Sequence, residues 1–454
     1  MSHVDRRRFL TYSGACATGV GLSGCQSLGD TGGAATTFED GPIRIGAIVP
    51  EPDGLGETVL KCARLGIDAV NADGGIGGAS VELVVGDSSG GPAAARQAYE
   101  RLTTEEHVDV TVGGYFVDSL MPSIAEQETI HVTTMSESVL PAELVSRQVS
   151  PRGGDPEAEY ERFKYHFRAG PMNVVELLEA FVEFIDLYHD RLGWDRISLL
   201  FENYTGNLDD RLEGVKADLE ALGVTVPVAQ ITTSGIDDWS PIFDELEAAE
   251  TDLAAIVSVL TGIPIVRQWA DQERNFEMGG AHIFAMFPWF WEETGGAAEG
   301  LFTGNAITPQ SRNTAHTEVF WERYHDEYGE DAAPMFAGPI TYDTIRMLKD
   351  AYEDVGTLEA DPVITYLEED LHWQRGSIVP DFGFRGPDER FAHDLIWDCM
   401  VDCEGEFDNG SPHGPTGVPV WQQWQRGPDG DGVMEVFAPD RHQSAEYVDP
   451  PWMR

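Results

Sequence analysis

The run Phe287-Pro288-Trp289-Phe290-Trp291 is a dense patch of aromatic surface in this 454-residue sequence. Ring faces offer broad apolar area and attract cations, chemistry suited to holding a small molecule rather than breaking bonds. Aromatics at this spacing also serve as ordinary core, and the run alone leaves both readings open. Thiols are the second reactive class, at Cys16, Cys25, Cys62, Cys399 and Cys403. Cys399 and Cys403 are close enough for a local disulfide, and His393 and His413 flank them without zinc-site spacing, so no metal is expected. Cys62 falls on a helical period and reads as a small buried hydrophobe. No nucleophile elbow, His-Glu-x-x-His pair, phosphate loop or dinucleotide fingerprint occurs. The chain therefore reads as a non-enzyme without a cofactor.

Charge narrows the partners. Asp and Glu total 79 against 29 Lys and Arg, a formal charge of -50. Such a surface repels nucleic acid and anionic lipid, so neither is an expected ligand. The acids are spread along the whole chain, which points to a folded protein in very salty water, where screening lengths shrink to a few ångströms. A halophilic source is the expectation; an acidic protein of ordinary habitat is the plainer alternative. No interior run of about 18 uncharged apolar residues exists that would span a bilayer.

The start of the chain speaks to compartment. Arg6-Arg7-Arg8-Phe9-Leu10 resembles a twin-arginine export signature, and Leu22-Ser23-Gly24-Cys25 resembles a lipoprotein signal-peptidase box. Small residues before the cysteine allow close approach of a peptidase, after which the Cys25 thiol would carry the lipid. Residues 1–25 are thus expected to be a leader. Residues 26–42 would be a Gly/Thr-rich tether holding the protein at the outer face of the membrane.

The elements that must position any site alternate strand and helix. Strand-like runs at 43–50, 81–85, 108–112 and 130–134 enclose helical periods at 56–71, 93–102 and 119–128. After Gly170 the alternation restarts. Helical periods at 174–188, 209–222, 239–249 and 263–272 separate strand-like runs at 197–201, 226–231, 254–259 and 282–286. Helical stretches at 334–355 and 362–371 and short strands at 395–400 and 420–424 complete the chain. Such alternation predicts an α/β architecture of two doubly wound, Rossmann-like lobes, each with a parallel sheet covered on both faces. Ligands of such sheets sit beyond the carboxyl ends of the strands.

Several ordered segments resemble one family, the leucine/isoleucine/valine-binding proteins of ABC importers with the type I periplasmic binding fold. These are Ile43–Pro50, then Asn71-Ala72-Asp73-Gly74-Gly75-Ile76 closing the first helix, and Val81-Glu82-Leu83-Val84-Val85-Gly86-Asp87 followed by Pro92-Ala93-Ala94-Ala95. Val110-Thr111-Val112-Gly113-Gly114-Tyr115 and Tyr165-His166-Phe167-Arg168 follow in the same order, and the resemblance covers residues 43–385. It implies a three-crossing hinge, with lobe one at 43–168 plus 307–382, lobe two at 169–306 plus 383–437, and a tail at 438–454. It also implies a small-molecule solute and partnership with permease and ATPase subunits. The alternative within the same fold is a surface ligand sensor coupled to a signalling protein.

The resemblance further implies where the solute lies. Family members hold a ligand carboxylate at two strand-to-helix turns of lobe one, here Phe116 to Ser119 and Thr133 to Ser138. Helix N-termini there present unpaired N–H donors to an anion. Tyr115, Asp118, Ser119, Thr134, Ser136 and Ser138 are the candidates, although Asp and Ser at such places also cap helices routinely. In lobe two, Tyr204 within Glu202-Asn203-Tyr204-Thr205-Gly206 matches a family turn, and Phe287 and Trp289 follow the strand at 282–286. The sequence departs from amino-acid binders here, because they carry a glutamate directly after that strand to pair with the ligand ammonium. The departure, with Asp118 in a usually hydroxyl-rich turn, implies a neutral, cationic or aromatic-bearing solute lying against Trp289. Sequons at Asn203 and Asn409 complete the reading; a glycan on Asn203 would obstruct the cleft.

Overall fold

The computed structural model describes residues 38, 41–51, 56–203, 208–233, 235–258, 262–329, 333–396 and 420–454. Cys25 with the rest of the leader, most of the tether, Tyr204, Cys399, Cys403 and the Asn409 sequon lie outside the described residues.

Five strands form the first sheet: β1 (Ile43–Val49), β2 (Val81–Asp87), β3 (Val110–Gly113), β4 (His131–Thr133) and β5 (His166–Arg168). They lie in the order β2-β1-β3-β4-β5, and every pairing is parallel. Register sorts the side chains into rungs, because neighbours in sequence face opposite ways. Val112, Val132 and Phe167 align as an apolar rung, and Thr111, His131 and His166 as a polar one. The Thr111 hydroxyl lies 2.9 Å from His131 Nδ1, and the Thr133 hydroxyl 3.0 Å from His166 Nε2. Burial pushes the His131 imidazole down to about 3, so its ring stays neutral at ordinary pH. Gly113, Thr133 and Arg168 form the last rung, at the carboxyl edge.

The second sheet holds β6 (Ile197–Glu202), β7 (Ala229–Thr232), β8 (Leu253–Ser258), β9 (Glu277–His282), β10 (Phe302–Asn305), β11 (Val420–Arg426) and β12 (Gly432–Ala438). Its order is β12-β11-β10-β9-β8-β6-β7, with β11 and β12 antiparallel additions to a parallel centre. Both faces are buried. Leu199, Phe201, Ala255 and Val257 enter one core with Trp194 and Phe184, while Leu200, Ala254 and Ile256 enter another with Trp269. Strict alternation between two dry faces explains why these strands read as continuous apolar runs.

Two sheet-containing α/β lobes result, with a bilobed type I periplasmic binding fold. The chain passes between them at residues 169–173 and 306–316, and its return from 396 to 420 runs through residues outside the described set. The first core also contains Phe384, Ala392 and Leu395. Phe384, Ala392 and Leu395 therefore pack with the first lobe and Phe391 with the second-lobe core, where the sequence assigned everything from 383 to the second lobe. Isolated bridges between Arg168 and Asp394 and between Phe384 and Leu395 hold the first three in place. The 438–454 stretch folds back on the second lobe: Tyr447 packs on that core and the Trp452 ring lies 4.7 Å from Trp269.

Two local expectations change. The strand expected at 282–286 ends at His282, and Ile283–Met286 winds into a 3-10 helix. The cause is the His282 side chain, whose Nδ1 accepts from Ala285 N at 3.1 Å and caps the turn. The strand expected at 226–231 begins only at Ala229; Pro227, lacking an N–H, cannot join the ladder.

Glu277 opens β9 in a nearly dry setting. Its Oε2 accepts from Trp194 Nε1 at 2.8 Å and from the Tyr447 hydroxyl. Burial outweighs these bonds and raises its pKa from 4.5 to about 7. A folded state that holds the proton more tightly than the unfolded chain is stabilised below the unfolded value. That stabilisation is lost as pH rises through the folded one. Glu277→Gln is therefore expected to raise stability at pH 8 by about 2–3 kcal/mol, with a much smaller gain at pH 5. Urea midpoints at the two pH values check it, and equal effects at both would refute it.

Candidate ligand cleft

The first turn grows from the carboxyl end of β3. Gly113 and Gly114 have φ of +98° and +83°, conformations that reverse the chain and that side chains resist. Tyr115 emerges next, 37% exposed, with its ring edge-on to Phe116 at 5.0 Å. The helix Val117–Gln127 then starts with Phe116 at the N-cap and no side-chain cap. Asp118 is exposed in its first turn and is not the capping residue. The Ser119 hydroxyl is committed to main-chain carbonyls, donating to Phe116 O at 2.7 Å and Pro92 O at 2.9 Å. It ties this helix to the one at Pro92–Thr104 rather than facing a ligand.

The second turn follows β4. Thr134 is fully buried, its hydroxyl 2.8 Å from that of Thr341, so it anchors the turn to the helix Ala337–Val355. The Ser136 oxygen accepts from Ser138 N at 3.3 Å. Between them stands Glu137. Its carbonyl accepts from Val174 N at 3.0 Å, at the crossing into the second lobe. The Glu137 side chain is half-buried and has no hydrogen bond or ion pair among the described residues. Burial raises its pKa to about 7 against the pull of Arg168. Burial raises the Tyr115 phenol and the same carboxylate adds to the rise, so the two turns border one space.

Arg168 holds the second turn in place. Only 1% exposed, it donates to Asp394 Oδ1 at 2.9 Å and to the carbonyls of Ser136 and Ser138. Asp394 Oδ2 accepts from Asn173 Nδ2 at 3.0 Å, which also reaches Glu176 at 2.7 Å. Asn173 Oδ1 caps the helix Val174–Leu192, and Arg385 donates to Glu176 at 2.6 Å. A buried, hydrogen-bonded network thus runs through the first crossing. Sequence reading had Arg168 only as the end of the family-like segment Tyr165-His166-Phe167-Arg168 and missed this role; a lone arginine closing that segment was the available signal.

On the second lobe, β6 ends in Glu202, which is buried and accepts from the Ser258 hydroxyl at 3.2 Å. The aromatic run after β9 divides. Phe290 and Trp291 belong to the second-lobe core, as the plainer reading had it. Met286 and Phe287 join the core of the first sheet, so this segment reaches across to the other lobe. Trp289 alone presents its face, 40% exposed and stacked on Phe287 at 5.0 Å. Phe116, beneath Tyr115, packs against the same core that holds Phe287. Of the named candidates, Tyr115, Asp118 and Trp289 are accessible, Ser138 is half-buried, and Ser119, Thr134, Ser136 and Phe287 serve the scaffold. Among the described residues one group could approach a metal, His189, Asp190 and Asp195, whose ligand atoms lie within 4.8 Å of one another. Both aspartates are exposed, and the group sits at the far end of the helix Val174–Leu192.

Comparison with known proteins agrees with this architecture. A structure from Silicibacter pomeroyi, assigned to a branched-chain amino acid ABC transporter, superposes with a TM-score of 0.71 at 18% identity, covering 91% of this chain and 100% of that one. A leucine-binding protein from Thermotoga maritima gives 0.63 at 18% identity, covering 88% and 99%. A solute-binding protein of an ABC transporter from Rhodopseudomonas palustris, in complex with 3,4-dihydroxybenzoic acid, gives 0.63 at 16% identity, covering 90% and 99%. No curated protein sequence matches. The periplasmic binding protein family profile matches residues 42–397, most of the chain. With that span matched, the chain belongs to the periplasmic binding protein family, whose members bind and do not catalyse.

Proposed function

We propose that this protein is the exported, lipid-anchored solute receptor of an ABC importer, capturing a small amino-acid-like, amide or aromatic solute between its lobes. One observation carries the reading. Among the described residues only four large hydrophobic side chains are exposed, and two of them, Tyr115 and Trp289, stand beyond the strand ends of opposite lobes. An exposed ring backed by a second, buried ring is a preformed surface for a planar or cationic solute. The twin-arginine start, the Cys25 box and the tether support delivery to the outer membrane face, with permease and ATPase subunits as partners. The surrounding charge disfavours anionic solutes.

Mass spectrometry of solute co-purified with protein made in molar salt tests the reading, together with X-ray scattering before and after solute removal. Compaction on rebinding is expected, since lobe closure is the family's way of trapping a solute. A scattering curve indifferent to every small molecule would remove the proposal. For the solute so found, Trp289→Ala is expected to weaken binding by about 10–100-fold, read by calorimetry. An unchanged affinity would place the solute elsewhere. A lipid-modified Cys25 peptide is the expected N-terminus of membrane-derived protein.

A further inference from the structure

We propose that Glu137, at the turn after β4 and bordering the Tyr115 ring, is the counter-ion for a positively charged group of the solute, so that the protein takes an ammonium or quaternary-ammonium compound. This rests on the cleft reading above and names the class of solute within it.

Six other sheltered carboxylates of the protein have donors. Asp394 has Arg168 and Asn173, Glu176 has Arg385 and Asn173, and Glu277 has Trp194 and Tyr447. Asp343 accepts from Ser377 and Ile378, Glu368 from His393 and Tyr160, and Glu299 from Arg426. Removing a carboxylate from water without a partner is costly, and at each of these places at least one oxygen meets donors, whereas Asp343 Oδ1, Glu159 Oε2 and Asp381 Oδ1 are further sheltered oxygens without a hydrogen bond among the described residues. Glu137 has none. The cation whose charge it feels, Arg168, is engaged by Asp394 and two carbonyls.

The position is also built rather than loose. Arg168 grips the carbonyls on either side of Glu137, and the Glu137 carbonyl itself accepts from Val174 N at 3.0 Å. An unpaired acid held on a rigid turn, next to an exposed phenol ring, supplies the two attractions a cation uses, charge and ring face. Asp118, exposed on the neighbouring helix, adds negative potential. The arrangement puts the anionic partner on the first lobe and leaves the aromatic run of the second lobe without one. It therefore accounts for the missing glutamate directly after β9.

The test uses the full chain in molar salt and three charged probes, choline, tyramine and L-leucine. Each is paired with a neutral-for-charged analogue: dimethylbutanol, tyrosol and leucic acid. Thermal melts and calorimetry should show at least one charged probe binding about tenfold or more tighter than its analogue. Glu137→Gln should erase that preference without lowering the melting temperature of the free protein, and Glu137→Asp should keep part of it. Equal or better binding of the analogues, or a preference that survives Glu137→Gln, overturns the inference and leaves the solute-receptor reading standing. A panel in which no probe binds overturns it too. The reading itself falls as well only if a concentrated small-molecule extract of the producing cells also leaves the scattering curve unchanged.

Discussion

Arg168→Ala is expected to lower the free energy of unfolding by about 3–5 kcal/mol. The substitution leaves Asp394, itself 1% exposed, as a buried charge with only Asn173 beside it. It also strips the carbonyls of Ser136 and Ser138 of their donor. Arg168→Lys should recover little, because one ammonium cannot span a carboxylate and two carbonyls that a planar guanidinium bridges at once. Replacing both members, as Arg168→Met with Asp394→Leu, should cost much less than either alone, since no unpaired charge remains. Denaturant titration in molar salt, followed by tryptophan fluorescence, reads all of these. A loss below about 1 kcal/mol for Arg168→Ala would mean that water reaches Asp394 and that the network is weaker than its burial implies. Solute affinity should fall with stability, because the same guanidinium fixes the turn that carries Glu137.

Gly113→Ala should be nearly as damaging, by about 3 kcal/mol. A Cβ at this position would lie 2.3 Å from Ile48 O, and the φ of +98° is one that alanine resists. The obstacle is backbone of the neighbouring strand β1, paired with Gly113 itself, so it cannot step aside without opening the β1–β3 ladder. Gly74→Ala separates the two causes: its φ is +96°, yet nothing lies within 4 Å of the added carbon. It should therefore cost only about 1 kcal/mol, the conformational part. Urea midpoints of the two variants give the comparison, and equal costs would show that the close approach is relieved by small shifts. Tyr115 lies two residues beyond Gly113, so the variant should also lose affinity for any solute that uses the ring.

The alternation of strands and helices was readable because each signal is local. Val110, Val112 and Val132 announce buried strands by type, and the apolar spacing in Glu57–Ala72 announces a helix by period. The limits of that reading appear where one side chain redirects its own backbone, as His282 does by capping Ala285 and turning an expected strand into a 3-10 helix. Site residues were harder. Ser119 and Trp289 are both of binding type, but the first spends its hydroxyl on Pro92, 27 positions away, and only the second remains open. Trp289 and Trp291 differ by two positions and are 40% and 8% exposed, a division set by the turn into the helix Phe290–Thr294.

Composition, periodicity and the order of a few motifs were enough to determine two α/β lobes and a binding rather than catalytic role. Tertiary structure alone decided which hydroxyls are structural, which residues after 383 pack with the first lobe, and that Glu137 is without a partner among the described residues. Arg168 finds Asp394 across 226 positions, and that contact places Ser136, Glu137 and Ser138. Spacing within one element records which way a side chain points. It carries no record of what another segment brings to meet it, and a charge is satisfied or left waiting only by that meeting.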